Sequence, residues 1–329
     1  MKKVGFLYWS PGLIGDFSTA DPSWIWLLPL FDLLKSNDIQ PCWLDPSTEV
    51  EGLVKATVKE VDMIFCYWRW QLPDTERYRP RNEAYAFQMK ALTEAFSSNT
   101  PVIVFDGDLK IDLEQHRWLL QSGARLVMPA FYPLEGYETL FYPMVYSEGS
   151  YDPTGRNGVV YIGNNYERYD MAVKYMSWPR YSYKGMSKAM DPKFTIYGNW
   201  VDPSPYRESP EQVRADFPNA LFPGYLDQRL VIETLAKAKA TVHIAKPEYA
   251  SIGFIALRWF EAVAAGTPAF VPVDWHLPCP MNYTYDADSI AFELQRGAAP
   301  MRKQFEYQRL MINLMTFVPW LRLFKETLS

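Results

Sequence analysis

Cysteine and histidine are scarce, at three each in 329 residues. Cys42, Cys66 and Cys279 are too few and too scattered for a disulfide framework or a zinc site, so a reducing compartment is expected. His116, His243 and His276 lie far apart, without metal-ligand spacing, and read as structural residues. Long hydrophobic runs are missing as well, and nothing approaches the roughly 18 consecutive apolar residues of a membrane span. The opening MKKVGFLYWSPG has an apolar run stopped by Pro11 and Gly12, too short for the core of a signal peptide. These absences predict a soluble, cytoplasmic protein with no membrane partner. No P-loop and no Ser-His-Asp arrangement is present. Positive charge is not in excess either: the net charge is −5 and the isoelectric point about 5.4. That excludes a surface that coats nucleic acid generally but leaves room for a local basic groove.

Aromatic side chains, by contrast, are plentiful. They make up 16% of the chain, with 12 Trp and 22 Tyr, enough for stacking surfaces in addition to core packing. Hydrophobic residues at 48% and charged residues at 22% form a globular balance. The length suits two domains, each able to bury its own core. The 26 prolines predict many irregular connections.

Short apolar runs alternate with helical spacing along the first half. Val4–Tyr8, Val61–Tyr67, Pro101–Phe105 and Ala124–Met128 read as strands, and Trp24–Leu34 and Arg81–Ala95 as helices, with Asp21 or Ser23 capping the first. The turn-rich stretch Glu148–Asn157 reads as a linker. The pattern then restarts with strands at Gly158–Ile162, Phe194–Tyr197, Thr241–Ala245 and Ala269–Val273. Helices are expected at Tyr169–Tyr175, Asp227–Lys239 and Phe254–Ala265, the last ended by Gly266 in a left-handed conformation before Pro268. Phe305–Phe324 is helical in character and interrupted at Pro319. Alternating strands and helices predict parallel, doubly wound sheets in an α/β architecture. Two such halves leave a cleft where ligands bind.

Four stretches carry chemistry. In Phe254–Val273 (FIALRWFEAVAAGTPAFVPV), Arg258 and Glu261 share a helix face. Free N–H groups near a helix start favour a phosphate, Arg258 adds a planar cationic fork, and Glu261 can accept hydrogen bonds from a ribose diol. The plainer alternative is a surface ion pair worth less than roughly 1 kcal/mol. In Val102–Ile111 (VIVFDGDLKI), Asp106 and Asp108 follow an apolar strand at the end where parallel sheets bind ligands. One can serve as general base, and one can cap the next segment. In Tyr67–Arg81 (YWRWQLPDTERYRPR), Arg69, Arg77, Arg79 and Arg81 interleave with Trp68, Trp70 and Tyr78. That offers cations for phosphates beside rings for exposed bases, or else a solvated loop whose arginines pair with Asp74, Glu76 and Glu83. Lys184, Lys188 and Lys193 offer an opposite basic bank, or an exposed polar loop. The loop Ser10–Ser23 has two glycines after the first strand, suited to close backbone approach to a ligand.

Glu261, followed by small residues and Gly266-Thr267-Pro268, resembles the donor-binding helix of GT-B glycosyltransferases. Among those, the chain is similar to the phage DNA β-glucosyltransferases, which glucosylate hydroxymethylcytosine in phage DNA. The resemblance includes Tyr161-Ile162-Gly163, the Phe194–Gly198 strand with its Tyr-Gly ending, and Phe222-Pro223-Gly224-Tyr225-Leu226. Its most specific part is Phe254–Glu261. It implies an α/β GT-B fold of two Rossmann-like domains with parallel sheets facing an interdomain cleft. Residues 1–150 would be the acceptor domain and 151–329 the nucleotide-sugar domain, with the terminal helix packing back on the first. It implies inverting transfer of a hexose or pentose from a UDP-sugar to hydroxymethylcytosine or hydroxymethyluracil in double-stranded DNA. If phage-encoded, the enzyme would work in the host cytoplasm.

By that resemblance, Arg168 and Arg258 meet the diphosphate beside Gly163, Glu261 the ribose, and the backbone around Leu226 the uracil. Asp108 aligns best with the family's catalytic Asp, and Asp106 competes because the chain is one residue longer there. Arg69, Arg77, Arg79, Arg81, Trp68 and Trp70 would meet the DNA, and Gly15, Asp16 and Asp21 the sugar. Trp24 stands where the family has an acidic residue, which leaves the sugar open. No tightly bound cofactor is implied, and a divalent cation (Mg or Mn) is expected at most to stimulate. A glycan or small-molecule acceptor is the second reading. A non-catalytic DNA- or nucleotide-sugar-binding protein is the third.

Overall fold

The computed structural model describes residues 1–8, 24–44, 53–76, 79–144, 151–152, 154–165, 168–176, 194–201, 208–218, 220–244, 246–272, 275, 277, 298–315 and 317–329. Gly15, Asp16, Asp21, Ser23, Arg77, Tyr78, Lys184, Lys188, Lys193, His276 and Cys279 lie outside the described residues. The chain divides into two compact units, Met1–Met144 with Leu314–Ser329, and Val145–Asn313.

The first unit contains β1 (Lys2–Leu7), α1 (Trp24–Lys35), β2 (Ile39–Trp43), β3 (Val54–Lys55), β4 (Met63–Tyr67) and α2 (Arg79–Ser97). It continues with β5 (Val102–Phe105), α3 (Leu113–Gln121), β6 (Arg125–Met128) and β7 (Tyr137–Thr139). Among the described residues these strands form one seven-stranded sheet in the order β3-β2-β1-β4-β5-β6-β7, every pair parallel. The winding reverses between β1 and β4, which opens a crevice at their carboxyl ends. Every residue of β4 is buried, as a sheet covered on both faces requires. Its alternate side chains part accordingly. Phe65 joins Phe6, Phe105, Trp26 and Phe324 in one aromatic cluster. Ile64, Cys66 and Trp68 join Leu92, Val104 and Leu119 on the other face.

The runs read as strands in the sequence are β1, β4, β5 and β6. The elements β2, β3, β7 and α3 carry weaker signals. Pro41 interrupts the apolar run of β2, β7 is the polar Tyr-Glu-Thr, and α3 buries only Leu119.

The second unit holds β8 (Val159–Ile162), α4 (Tyr169–Met176), β9 (Phe194–Tyr197), α5 (Pro210–Asp216), β10 (Ala220–Gly224), α6 (Val231–Ala236) and β11 (Ala240–Val242). It goes on with α7 (Pro247–Ala250), α8 (Leu257–Ala264), β12 (Ala269–Phe270) and α9 (Ala298–Met315). Among the described residues its five strands run parallel in the order β10-β9-β8-β11-β12, with the reversal between β8 and β11. The helix expected over Asp227–Lys239 is a 3-10 turn at Gln228–Leu230 followed by α6. The helix expected from Phe254 starts at Leu257, because Gly253 takes φ +59 and Phe254 packs fully buried ahead of it. Gly266 has φ +70 and ends α8 as expected. The side chain of Gln308 on α9 accepts from Ala269 N at 3.1 Å and donates to its carbonyl, extending the edge of β12.

The last helix, α10 (Phe317–Leu328), belongs to the first unit. Pro319, where an interruption is expected, lies inside the helix described over Phe317–Leu328. Pro319 lies in the first turn of α10, where its missing N–H costs no helical bond. No helix among the described residues is long and apolar enough to cross a membrane. Trp320 of α10 is fully buried. It packs on Phe65 and Phe105 at ring separations of 5.3 and 5.5 Å and donates its indole N–H to Phe141 O at 2.5 Å. Truncation removes both the ring volume and the partner of that carbonyl. Trp320→Ala should therefore lower the unfolding free energy of this unit by about 3–5 kcal/mol in urea titration, and a loss under about 1 kcal/mol would show that α10 is dispensable to it.

Candidate active site

In the first unit, three segments meet at the carboxyl ends of β1, β4 and β5, beside the reversal of winding. The turn after β5 carries Asp106 and Asp108, and the sheet treats them differently. Asp106 is wholly buried. It accepts from Lys110 N at 2.8 Å, from Ile111 N at 3.2 Å and from the Tyr137 hydroxyl at 3.4 Å. Burial pushes its carboxyl up to about 6, against the opposing pull of the two backbone donors. Asp106 thus closes the turn from within. Asp108 keeps 40% of its side chain exposed. Neither caps the following helix; Asp112 does, accepting from Gln115 N at 2.8 Å. Of the two carboxylates, only Asp108 faces outward enough to take a proton from an incoming group.

Arg69 and Trp68 are corrected by the structure. Both are expected at a nucleic-acid surface, yet Trp68 is 1% and Arg69 7% exposed. The alternation of β4 continues past its end, so Trp68 packs with the core beside α2 and Arg69 turns toward Tyr8 and Tyr67. Its guanidinium lies 4.3 Å from the Tyr67 ring centroid and donates to Tyr8 Oη at 2.8 Å. It also reaches Asp108 Oδ2 at 3.3 Å. Trp70 is half-buried, with Lys110 Nζ 5.5 Å from its ring. Arg79 and Arg81 are exposed, and Arg79 pairs with Glu83 at 3.1 Å.

In the second unit, Arg258 and Glu261 lie on the first two turns of α8, whose start at Ala256 has no side-chain cap. They share the expected face, but the pair is not an exposed one. Glu261 is fully buried, and Arg258 Nη1 meets its Oε2 at 2.5 Å. Gln228 completes a ring of three side chains. Its amide donates to Glu261 Oε1 at 3.2 Å and accepts from Arg258 Nη2 at 3.2 Å. Sequence reasoning missed Gln228. The one signal was its place two residues after Leu226, which is itself half-buried.

Arg168 follows β8, at that unit's own reversal point. Its Nη1 donates to Asn164 O at 3.4 Å, while its Nε is buried without a hydrogen-bond partner. Gly163 leaves room for it: a Cβ there would stand 2.7 Å from Tyr161 Oη and 3.3 Å from Arg168 Nη1. His243, at the end of β11, is buried with Nε2 unpartnered. Desolvation, and then the charge of Arg168, depress its pKa to about 3. The imidazole therefore stays neutral beside the guanidinium. An arginine with an unpartnered Nε at the carboxyl ends of parallel strands suits an anionic ligand.

Two parallel, doubly wound units in series, each with polar side chains at its strand ends, define the architecture. This is the GT-B fold of glycosyltransferases. The chain is similar to T4 phage β-glucosyltransferase solved with its UDP-glucose substrate, at TM-score 0.64 and 14% identity over 100% of both chains. It is similar also to that enzyme in complex with UDP and Mn2+, at TM-score 0.60 and 13% identity over 99% of both chains. A glycosyltransferase involved in avilamycin A biosynthesis matches at TM-score 0.58 and 13% identity, over 100% of this chain and 97% of that one. No protein-family model matches the sequence, and no curated protein matches it. Among the described residues of this GT-B chain, no three His, Cys, Asp or Glu side chains gather as a metal site.

The neutral state of His243 has a measurable consequence. Its folded pKa lies below the unfolded value near 6.5, so between about pH 6.5 and 3 the unfolded chain binds a proton that the folded one refuses. Stability is therefore intact above about pH 6.5 and falls by about 1.4 kcal/mol per pH unit below it. Urea titration at pH 7.5 and 5.5 should show this loss in wild type and a smaller one in His243→Phe. Equal losses in the two proteins would mean that His243 titrates normally.

Proposed function

We propose that the protein is an inverting glycosyltransferase that moves a sugar from a UDP-sugar to a hydroxymethylated base, hydroxymethylcytosine or hydroxymethyluracil, in double-stranded DNA. The observation that carries the reading is the unequal pair after β5, a buried Asp106 that holds the turn and an outward Asp108 that is left for proton transfer. Support comes also from the GT-B fold and from its likeness, over the full length, to a phage enzyme solved with UDP-glucose.

In this reaction the acceptor hydroxyl attacks the anomeric carbon as its proton passes to the Asp108 carboxylate. The bond from that carbon to the diphosphate oxygen breaks with inversion, and UDP leaves with the bonding pair. Arg168 and Arg258 stabilise the charge that grows on the departing diphosphate, with Gly163 allowing close backbone approach. The ribose diol replaces the Gln228 amide at Glu261, and the backbone around Leu226 takes the uracil. Arg79, Arg81 and Trp70 remain the DNA-facing candidates among the described residues. A divalent cation (Mg or Mn) bound with the diphosphate would add to the same charge stabilisation.

A glycan or small-molecule acceptor is the second reading. It is favoured by the burial of Arg69 and Trp68, which withdraws two residues from the DNA surface, and by the isoelectric point of about 5.4. Incubation with a panel of UDP-sugars and DNA containing either modified base, followed by mass spectrometry of the digested nucleosides, separates the readings. A glycosylated nucleoside is expected. Release of UDP only with non-DNA acceptors supports the second reading, and no release with any acceptor supports a binding protein. Asp108→Asn should reduce transfer by at least about a hundredfold with donor affinity nearly unchanged, and full turnover by that variant would reject Asp108 as the base.

A further inference from the structure

We infer that Arg69 is a positioning residue for Asp108: its buried guanidinium, held against Tyr8 and Tyr67, fixes the carboxylate in one orientation and keeps it ionised in mildly acidic solution. The inference rests on Asp108 being the base of sugar transfer. Arg69 follows β4 directly, and Gln88 of α2 pins its backbone. The Gln88 side chain accepts from Arg69 N at 3.1 Å and donates to Arg69 O at 3.1 Å. The guanidinium carbon is 4.3 Å from the Tyr67 ring centroid and 5.1 Å from that of Tyr8. Nη2 donates to Tyr8 Oη at 2.8 Å, which leaves Nη1 aimed at Asp108 Oδ2, 3.3 Å away. The same oxygen accepts from Tyr67 Oη at 3.4 Å. A cation 7% exposed needs a counter-charge and ring faces to stay buried, and Asp108 supplies the charge.

The groups that face Asp108 decide its protonation. Arg69 and Tyr67 come from the end of β4, Asp106 from its own turn, and Tyr142 from the chain after β7. Asp106 and Asp108 repel when both are ionised. Arg69 opposes that repulsion. Without the guanidinium, Asp108 would keep its acidic neighbour and lose the cation 3.3 Å away, so its pKa would climb. In the acid range a larger fraction of the variant would then hold the proton in advance and be unable to accept one from substrate. In alkaline solution both proteins are ionised, and the electrostatic part of the loss vanishes.

The test compares wild type, Arg69→Met and Arg69→Lys by pH–rate profiles of transfer and by carbon NMR titration of the Asp108 carboxyl without substrate. In Arg69→Met the acid limb and the Asp108 titration should both rise by about 1–3 pH units. Between the two acid limbs the ratio of wild-type to variant kcat should grow as the pH falls, approaching tenfold per pH unit, with KM for the UDP-sugar within about twofold. Arg69→Lys keeps the charge without the fork and should fall between the two, and it carries the test should Arg69→Met fail to fold. An unmoved Asp108 titration overturns the inference, as does a rate loss of equal size at every pH. A wild-type chain that transfers no sugar overturns the transfer reaction instead, and the NMR shift reports the ion pair independently of it.

Discussion

A guanidinium set against a carboxylate at the carboxyl end of a parallel sheet recurs in both units, and the rest of each site depends on it. In the second unit, Glu261 is fully buried. An unmatched carboxylate there would be costly, and removing one partner of such a pair destabilises by about 3–5 kcal/mol. Arg258 and Gln228 supply the match. In the first unit the partners trade places: the cation is buried and the carboxylate stays partly in water. The effect of that pair is on the direction and charge of one oxygen.

The sheets account for why these groups gather. Both wind outward from a reversal, between β1 and β4 in one unit and between β8 and β11 in the other. Chain segments that leave adjacent strands there diverge and open a crevice. Tyr8, Arg69 and Asp108 leave β1, β4 and β5, while Arg168 and His243 follow β8 and β11. Continuous burial along the strands confines polar side chains to strand ends, so polarity concentrates where the winding turns over. Part of the aromatic content of the sequence builds the core of the first unit, where Trp26, Phe65, Phe105, Trp320 and Phe324 interlock.

How much was legible in the sequence follows from the range of each interaction. Buried parallel strands read directly because VDMIFCY, PVIVF, GVVYI and FTIY are unbroken apolar runs. The strand β2 did not, because Pro41 resembles a breaker until both neighbours are known. The shared face of Arg258 and Glu261 was readable, since one helical turn relates them. Gln228 was not, because its partners lie far along the chain. Asp106 and Asp108 are equivalent by composition and part only when the turn folds and aims two backbone N–H groups at one of them. Arg69 misled for a similar reason: arginines interleaved with aromatic residues are the pattern of a nucleic-acid surface, and the same residues build a buried cation–ring stack.

We propose that the carboxylate of Glu261 grips the pentose of a uridine nucleotide. The direct measurement is calorimetric titration of wild type and Glu261→Gln with UDP and with 2′,3′-dideoxy-UDP. Wild type should bind UDP about tenfold or more tightly than Glu261→Gln, and the difference should vanish for the dideoxy ligand. Equal UDP affinities in the two proteins, or a difference that persists without the diol, would contradict it.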